Sequence, residues 1–405
     1  MKAIINRQKV INSIGEKNQG TATILALSLI PLSGLATDIY VPSLPQMASN
    51  LGVSAASVQF TIAVFFISYG ICQLIIGGVL DSFGRYRLNI ASLFLFSVAS
   101  FVIAFSKSIE VIYCMRAIHG ITVATIVVGK RAYFVDVYSG EKLKHYTSLF
   151  SIIWSASPII APFLGGYLQT VFSWQSDFIF IGFFGLLMLI LELIFSEETL
   201  KIFQPFHLGS VLRTYTSMLR TKDFIAGIAI LGLSFSMLII YAMASPFLIE
   251  DLLHFSPTVT GSCSLVSGIA LLAGGLFSKT LMRKPFFKKI VRAIVLQIVA
   301  AVLLTLITIK FSNLYTLLAY VIILHALAGF VFNNLLSYCL IQFPANAGKT
   351  SGLVGGGMSI FNAVFSYGLI NVLNIKSQPF LGLGYLVLAV IILVLFVFTK
   401  WDKQS

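Results

Sequence analysis

A run of about 20 apolar residues is long enough to cross the hydrocarbon of a bilayer as a helix, and this chain of 405 residues contains twelve such runs. They lie near 22–43, 57–80, 88–106, 109–133, 147–170, 178–195, 224–248, 259–278, 290–309, 313–341, 351–373 and 379–399. No other feature narrows the fold as far. Backbone inside hydrocarbon has no water to bond, so each run must satisfy its own N–H and C=O groups as a helix. Composition agrees, with 58% of residues hydrophobic and 10% charged, against about 25% charged in an average soluble domain. The expected class is an all-α membrane protein. The longest interruption, 196–223, separates two sets of six runs. The expected organisation is a six-helix bundle over 1–200, a cytoplasmic linker over 201–222 and a second six-helix bundle over 223–405.

The net charge of +13 speaks to topology rather than to nucleic acid. The Lys and Arg residues fall almost entirely in short breaks between apolar runs, and no basic stripe with interleaved aromatics is present. Segments that would share a side with the N-terminus carry +15, and all others together carry −2. By the positive-inside rule both termini are expected in the cytoplasm. Lys2, Arg7, Lys9 and Lys17 precede the first run without a small-residue cleavage site, so that run is expected to be retained as a span. Cys72, Cys114, Cys263 and Cys339 are isolated inside apolar runs, without metal-ligand spacing, and are expected to be buried thiols.

An ionisable group at membrane depth is costly, and it is a functional candidate for that reason. Asp38 stands deep in the first run, after Pro31, which can loosen the helix there. A proton-carrying or substrate-binding acid is one reading, and an acid snorkelling to the surface is the other. Arg116 lies in the fourth run with His119 one turn further along the same face. A guanidinium there needs an acceptor, and pairing with Asp38, directly or through water, is the economical expectation. Glu192, close to the end of the sixth run, is expected to snorkel. His325, Asn333 and Asn334 on the tenth run either face a cavity or bond neighbouring helices. No carboxylate falls inside a C-terminal run, so proton coupling is expected to rest on the N-terminal half. Gly348-Lys349-Thr350 lacks the earlier glycine and the strand of a phosphate loop, and no nucleophile–histidine–acid set or zinc spacing occurs. An enzymatic activity is not expected.

Short motifs now resemble a known family. Gly77-Gly78-Val79-Leu80-Asp81-Ser82-Phe83-Gly84-Arg85-Tyr86-Arg87 resembles the loop signature of the major facilitator superfamily, with Ser82 where arginine is usual. In local terms Gly77 permits close helix approach, Gly84 a tight turn, and the arginines pair with neighbouring acids. Arg116-Ala117-Ile118-His119-Gly120 is similar to the family's fourth-span motif, with His119 replacing glutamine. Arg131-Ala132 and Asp136 resemble the motif that closes that span, where the acid can meet Arg85. Ser157-Pro158 through Pro162 and Gly165-Gly166 resemble the antiporter motif of the fifth span, followed by Trp174 and Phe178 with Gln175 in place of arginine. Thr37-Asp38, Tyr40, Pro42 and Leu44-Pro45 are similar to the first span of Bcr/CflA-type drug:proton antiporters.

The resemblance implies a major facilitator fold with twelve helices in two six-helix bundles. It also implies proton-coupled efflux of a small amphipathic drug or metabolite across the cytoplasmic (inner) membrane. An importer or uniporter of a metabolite or siderophore, or a non-transporting sensor, remains open at this point. Asp38 and Arg116 are the expected coupling pair, and Tyr40, His119, His325, Asn333 and Asn334 the expected substrate cavity. The expected partners are a small molecule, protons and the lipid bilayer, with no cofactor, no metal and no nucleic acid, and the chain is expected to act as a monomer.

Overall fold

The computed structural model describes residues 18–401, which form long helices with no strand among them. Lys2, Arg7, Lys9, Lys17 and residues 402–405 lie outside the described residues. Eleven helices are long and apolar enough to cross a membrane. These are α1 (Gln19–Leu51), α2 (Ala55–Phe83), α3 (Arg85–Phe105), α4 (Ile109–Val137), α6 (Gln175–Phe195), α7 (Lys222–Leu252), α8 (Pro257–Thr280), α9 (Phe286–Lys310), α10 (Leu314–Ile341), α11 (Pro344–Val372) and α12 (Gln378–Phe398). The twelfth, α5 (Gly140–Val171), is a continuous helix of 32 residues. It covers the apolar run 147–170 of the sequence.

Local chemistry sets the helix starts. Ser54 Oγ accepts from Ser57 N–H at 3.2 Å and Ser108 Oγ from Val111 N–H at 3.2 Å, so each hydroxyl satisfies a donor the first turn leaves free. Asn313 and Thr316 bond reciprocally at the start of α10, a full capping box.

Inside the first half, α2 packs on α4 and α3 on both α4 and α6; inside the second, α8 packs on α10 and α9 on α12. Two long pairs join the halves, α5 with α8 and α2 with α11, and the Val41–Leu51 end of α1 also meets α7 and α8. At the second seam a methyl on Gly70 would stand 2.8 Å from Gly356 O, and one on Gly356 would stand 2.7 Å from Gly70 O. The backbones touch there, and any side chain would part them. α7 is the most enclosed span, with 94% of its apolar window buried.

Two spans depart from α geometry near the same end. α1 breaks at Pro31, resumes over Leu32–Asp38, tightens to a 3₁₀ turn at Val41–Ser43 and continues as Leu44–Leu51. α7 is α-helical to Pro246 and widens to a π turn over Phe247–Leu252. The connection between the halves holds one short helix, Leu208–Met218. Tyr215 of that helix donates to Leu74 O at 2.8 Å, and Lys349 Nζ donates to Thr214 Oγ1 at 3.0 Å. This connection marks one face of the molecule, called the linker face below.

Candidate functional site

Arg116 is fully buried where α1, α2 and α4 meet. Its Nη1 donates to Ala36 O at 2.9 Å and its Nε to Thr61 O at 3.4 Å. Ala36 lies just before the irregular part of α1, whose loosened backbone leaves such carbonyls available. The guanidinium carbon lies over the rings of Tyr40 and Phe65, at 4.8 and 4.7 Å from their centroids. Tyr40 is itself fully buried, donates to Thr61 Oγ1 at 2.9 Å, and packs at a tilt against Phe178. Thr61 passes its own proton to Val58 O, which fixes that direction. Tyr40 is therefore a clamp on Arg116 and not a cavity wall, which corrects the expectation for it.

His119 is corrected in the same way. It is fully buried between α3 and α4, against the ring of Phe96. Its Nδ1 lies 3.2 Å from Arg116 Nη1, which can only donate, so Nδ1 accepts. Its Nε2 then carries the proton and faces Phe96 O at 3.3 Å and Ser100 Oγ at 3.0 Å. Ser100 gives its own proton to Phe96 O, leaving a lone pair for the histidine. Every polar atom of the ring is committed to holding Arg116 in place.

One guanidinium nitrogen is left over, since Arg116 Nη2 is buried and has no hydrogen-bond partner. Asp38, half-buried at the end of the second piece of α1, does not close an ion pair with it. Direct pairing is thus not what this conformation holds, although each group feels the other's charge. Asp38 instead accepts from Thr37 Oγ1 at 3.1 Å. Its surroundings are made by α5, since methyls at Gly34 and Gly165 would stand 2.7 Å from Ser157 Cβ and 1.6 Å from Ile39 O. Gly165 lets α5 press on the backbone beside the acid.

The other buried carboxylates depart from the sequence reading. Glu192 does not snorkel; it is fully buried and its Oε2 meets Lys130 Nζ of α4 at 2.6 Å. Asp177, assigned by run counting to a loop, is fully buried in the first turn of α6 and accepts from Ser43 Oγ of the 3₁₀ turn. Asp223 is buried under Tyr338 and Gln342, which both donate to it. Glu250 lies half-buried in the π turn of α7. The C-terminal half is therefore not free of buried carboxylates, contrary to expectation. Cys114 is exposed rather than buried.

At the linker face Arg85 bridges two spans, pairing with Asp136 at the end of α4 and with Asp81 at 3.1 Å. Asp136 also accepts from Thr199 Oγ1 at 2.9 Å. Gly84 has φ +93°, and a methyl on it would stand 2.4 Å from Glu198 Oε2. That space is needed because Glu198 caps α3, accepting from Arg85 N–H and Tyr86 N–H at 3.1 Å each. Ser82, in place of the usual arginine, donates to Gly78 O and Gln204 O and so binds the connection to α2. Gly77 makes no close approach; the tight position is Gly78, where a methyl would stand 2.8 Å from Phe206. Arg131 forms no ion pair with a described residue.

Comparison with known proteins agrees with this architecture. The profile of the Major Facilitator Superfamily matches residues 27–366. The chain belongs to that superfamily. Relatives of this major facilitator chain include an uncharacterized MFS-type transporter, YdgK, of Bacillus subtilis, 28% identical over 85% of this chain and 87% of the relative. Multidrug resistance protein D of Escherichia coli is 25% identical over 91% of this chain and 92% of its own length. A bicyclomycin resistance protein homolog of Haemophilus influenzae is 28% identical over 55% of this chain and 56% of its own. The latter two names belong to the drug-resistance side of the superfamily, the Bcr/CflA-like branch that the first-span residues resemble. Among solved structures, the nucleoside transporter NupG aligns with TM-score 0.69 at 16% identity, over 92% of this chain and 99% of that one.

Within the superfamily frame, the fifth-span motif has a clear task. Pro158 and Pro162 lie inside α5, and Pro162 O is the atom that a methyl on Gly261 of α8 would approach at 2.4 Å. A methyl on Gly166 would stand 2.5 Å from Pro257 O. Gly165 thus seats α1, and Gly166 seats the other half. The C-terminal candidates separate by role. His325 is fully buried, with Nδ1 2.8 Å from Ser267 Oγ and Nε2 2.8 Å from Tyr385 OH, so it ties α10 to α8 and α12 instead of facing a cavity. Asn333 donates to Gly275 O at 3.2 Å and to Ser278 Oγ on α8, and Asn334 donates to Phe330 O at 2.8 Å within its own helix.

Proposed function

We propose that this chain exports a small amphipathic drug or metabolite across the cytoplasmic membrane in exchange for protons. It works as a monomer, with both termini cytoplasmic and no cofactor, and the proton gradient supplies the energy. Residues 1–200 and 223–405 are the two moving units, and 201–222 joins them. The names of the relatives support drug export, and the charge asymmetry of the loops supports the orientation.

The observation that carries the reading is the unpartnered Nη2 of buried Arg116 beside half-buried Asp38. A guanidinium cannot lose its charge, so a missing acceptor must be supplied from outside the cluster or by a shift of α1. An ionised Asp38 is drawn toward Arg116, and a protonated one is released. Because Asp38 sits on a short helical piece between two breaks, gaining or losing its proton moves the segment that α5 rests on.

The test is Asp38→Asn in proteoliposomes carrying a pH gradient, with a panel of antibiotics and cationic dyes as substrates. The variant keeps shape and hydrogen bonding and loses titration. It should bind substrate with near-normal affinity while uphill export and substrate-driven proton release both disappear. Uphill export at the wild-type rate by the Asn variant would remove Asp38 from the coupling.

A further inference from the structure

The face opposite the linker is closed by α5 and α8, and the polar contacts of that closure gather around one side chain. Glu250 lies in the π turn of α7, a backbone form that recurs at functional positions. Its Oε1 accepts from Thr260 Oγ1 of α8 at 2.8 Å. From the other half, the amide of Gln169 on α5 faces the same carboxyl. Gln169 is 6% exposed, and its Oε1 has no hydrogen-bond partner. One residue further on, Thr170 Oγ1 meets Thr258 Oγ1 across the halves at 2.9 Å. Next to these, Gly166 lies against Pro257 and Gly261 against Pro162.

Among the described residues no cation pairs with this carboxyl. α8 brings Thr260, α5 brings Gln169, and the Leu44–Leu51 segment that packs on the π turn carries no charged residue. On its own helix the neighbour is Asp251, a second acid, whose nearest counter-charge is His254. A closed seam holding an ionised Glu250 would bury a charge beside a like charge, with neutral donors but no cation to balance it. A neutral Glu250 escapes that cost, and its O–H is the donor that Gln169 Oε1 lacks after a flip of the amide.

We propose that Glu250 is a second proton-binding site, distinct from Asp38, whose neutral form closes the α5–α8 seam and whose ionised form opens it. The proton comes from the water on the face opposite the linker and returns there. The proposal rests on alternating access between the two halves. It does not rest on Asp38 being the coupling group, nor on the identity of the substrate.

The experiment measures the seam and not transport. The four native cysteines are replaced by alanine, and spin labels are placed at Phe172→Cys on the end of α5 and Phe255→Cys before α8. Both positions are exposed, at 71% and 42%. Distances between them are read in nanodiscs from pH 5 to pH 9. The open-to-closed ratio should rise with pH by up to about tenfold per unit inside the titration window, as one linked proton requires. Glu250→Gln should stay at the short distance throughout, and Glu250→Asp should keep a pH response. Asp38→Asn should leave the response in place, which separates this inference from the reading above it. A wild-type seam that ignores pH overturns the proposal even if Glu250→Gln fails to assemble. So does a Glu250→Gln seam that still opens as the wild type does.

Discussion

A buried guanidinium held by two carbonyls, one imidazole nitrogen and two ring faces is a shape requirement as much as a charge requirement. Lysine offers the charge without the fork, so Arg116→Lys should insert normally and lose at least about tenfold in transport rate. That factor corresponds to one charge-assisted hydrogen bond, about 1.5–3 kcal/mol. Membrane content by blotting and efflux in proteoliposomes read the two effects separately, and a wild-type rate would make Arg116 structural only. The Lys130–Glu192 pair makes a different prediction. Lys130→Met leaves a carboxylate buried alone and should lower thermal stability by about 3–5 kcal/mol. Removing both charges, Lys130→Met with Glu192→Leu, should recover most of the loss, and a double variant as unstable as the single would deny that the penalty is electrostatic. Asp38 and Arg116 were legible in the sequence because each is an isolated charge well inside an apolar run. Asp177 and Glu250 were not, because they stand at run ends, where composition does not say whether a residue lies in a loop or under the next helix.

At the scale of the element, the Gly84 turn and the α5 seams show how small side chains decide large contacts. Gly84→Ala forces a Cβ into a positive-φ position and into the Glu198 carboxylate at the same time. It should cost at least about 1 kcal/mol and uncap α3, visible as a lower melting temperature and weaker transport. Gly166→Leu acts on a moving contact and not a static one. It should keep the halves apart on the face opposite the linker, raising thiol labelling of Phe255→Cys while leaving the fold intact. Labelling equal to the parent would mean that the seam tolerates bulk. The sequence motifs marked Gly84 as a tight turn and the fifth span as a Pro–Gly stretch. Which glycine touches which helix was beyond them, as the exchange of roles between Gly77 and Gly78 illustrates, because only the packed neighbour, Phe206, distinguishes the two positions.

For the whole molecule, the two sets of six spans, α5 among them, were readable from apolar run length. The orientation is open to a direct check. A membrane-impermeant maleimide added to intact cells should modify Ser173→Cys and spare Lys284→Cys; the opposite pattern would invert the molecule in the membrane. The paired breaks in α1 and α7 have a mechanical meaning beyond the site. Over Val41–Ser43 and Phe247–Leu252 the regular i to i−4 ladder is already interrupted, so bending there gives up few bonds that a continuous helix would have to break. The two bundles are rods whose compliance is concentrated in one short joint each, close to the same membrane face. Backbone amides at these joints should exchange with deuterium sooner than those of the rods on either side, and the molecule should swing about them as a stiff body does, without strain spreading into its helices.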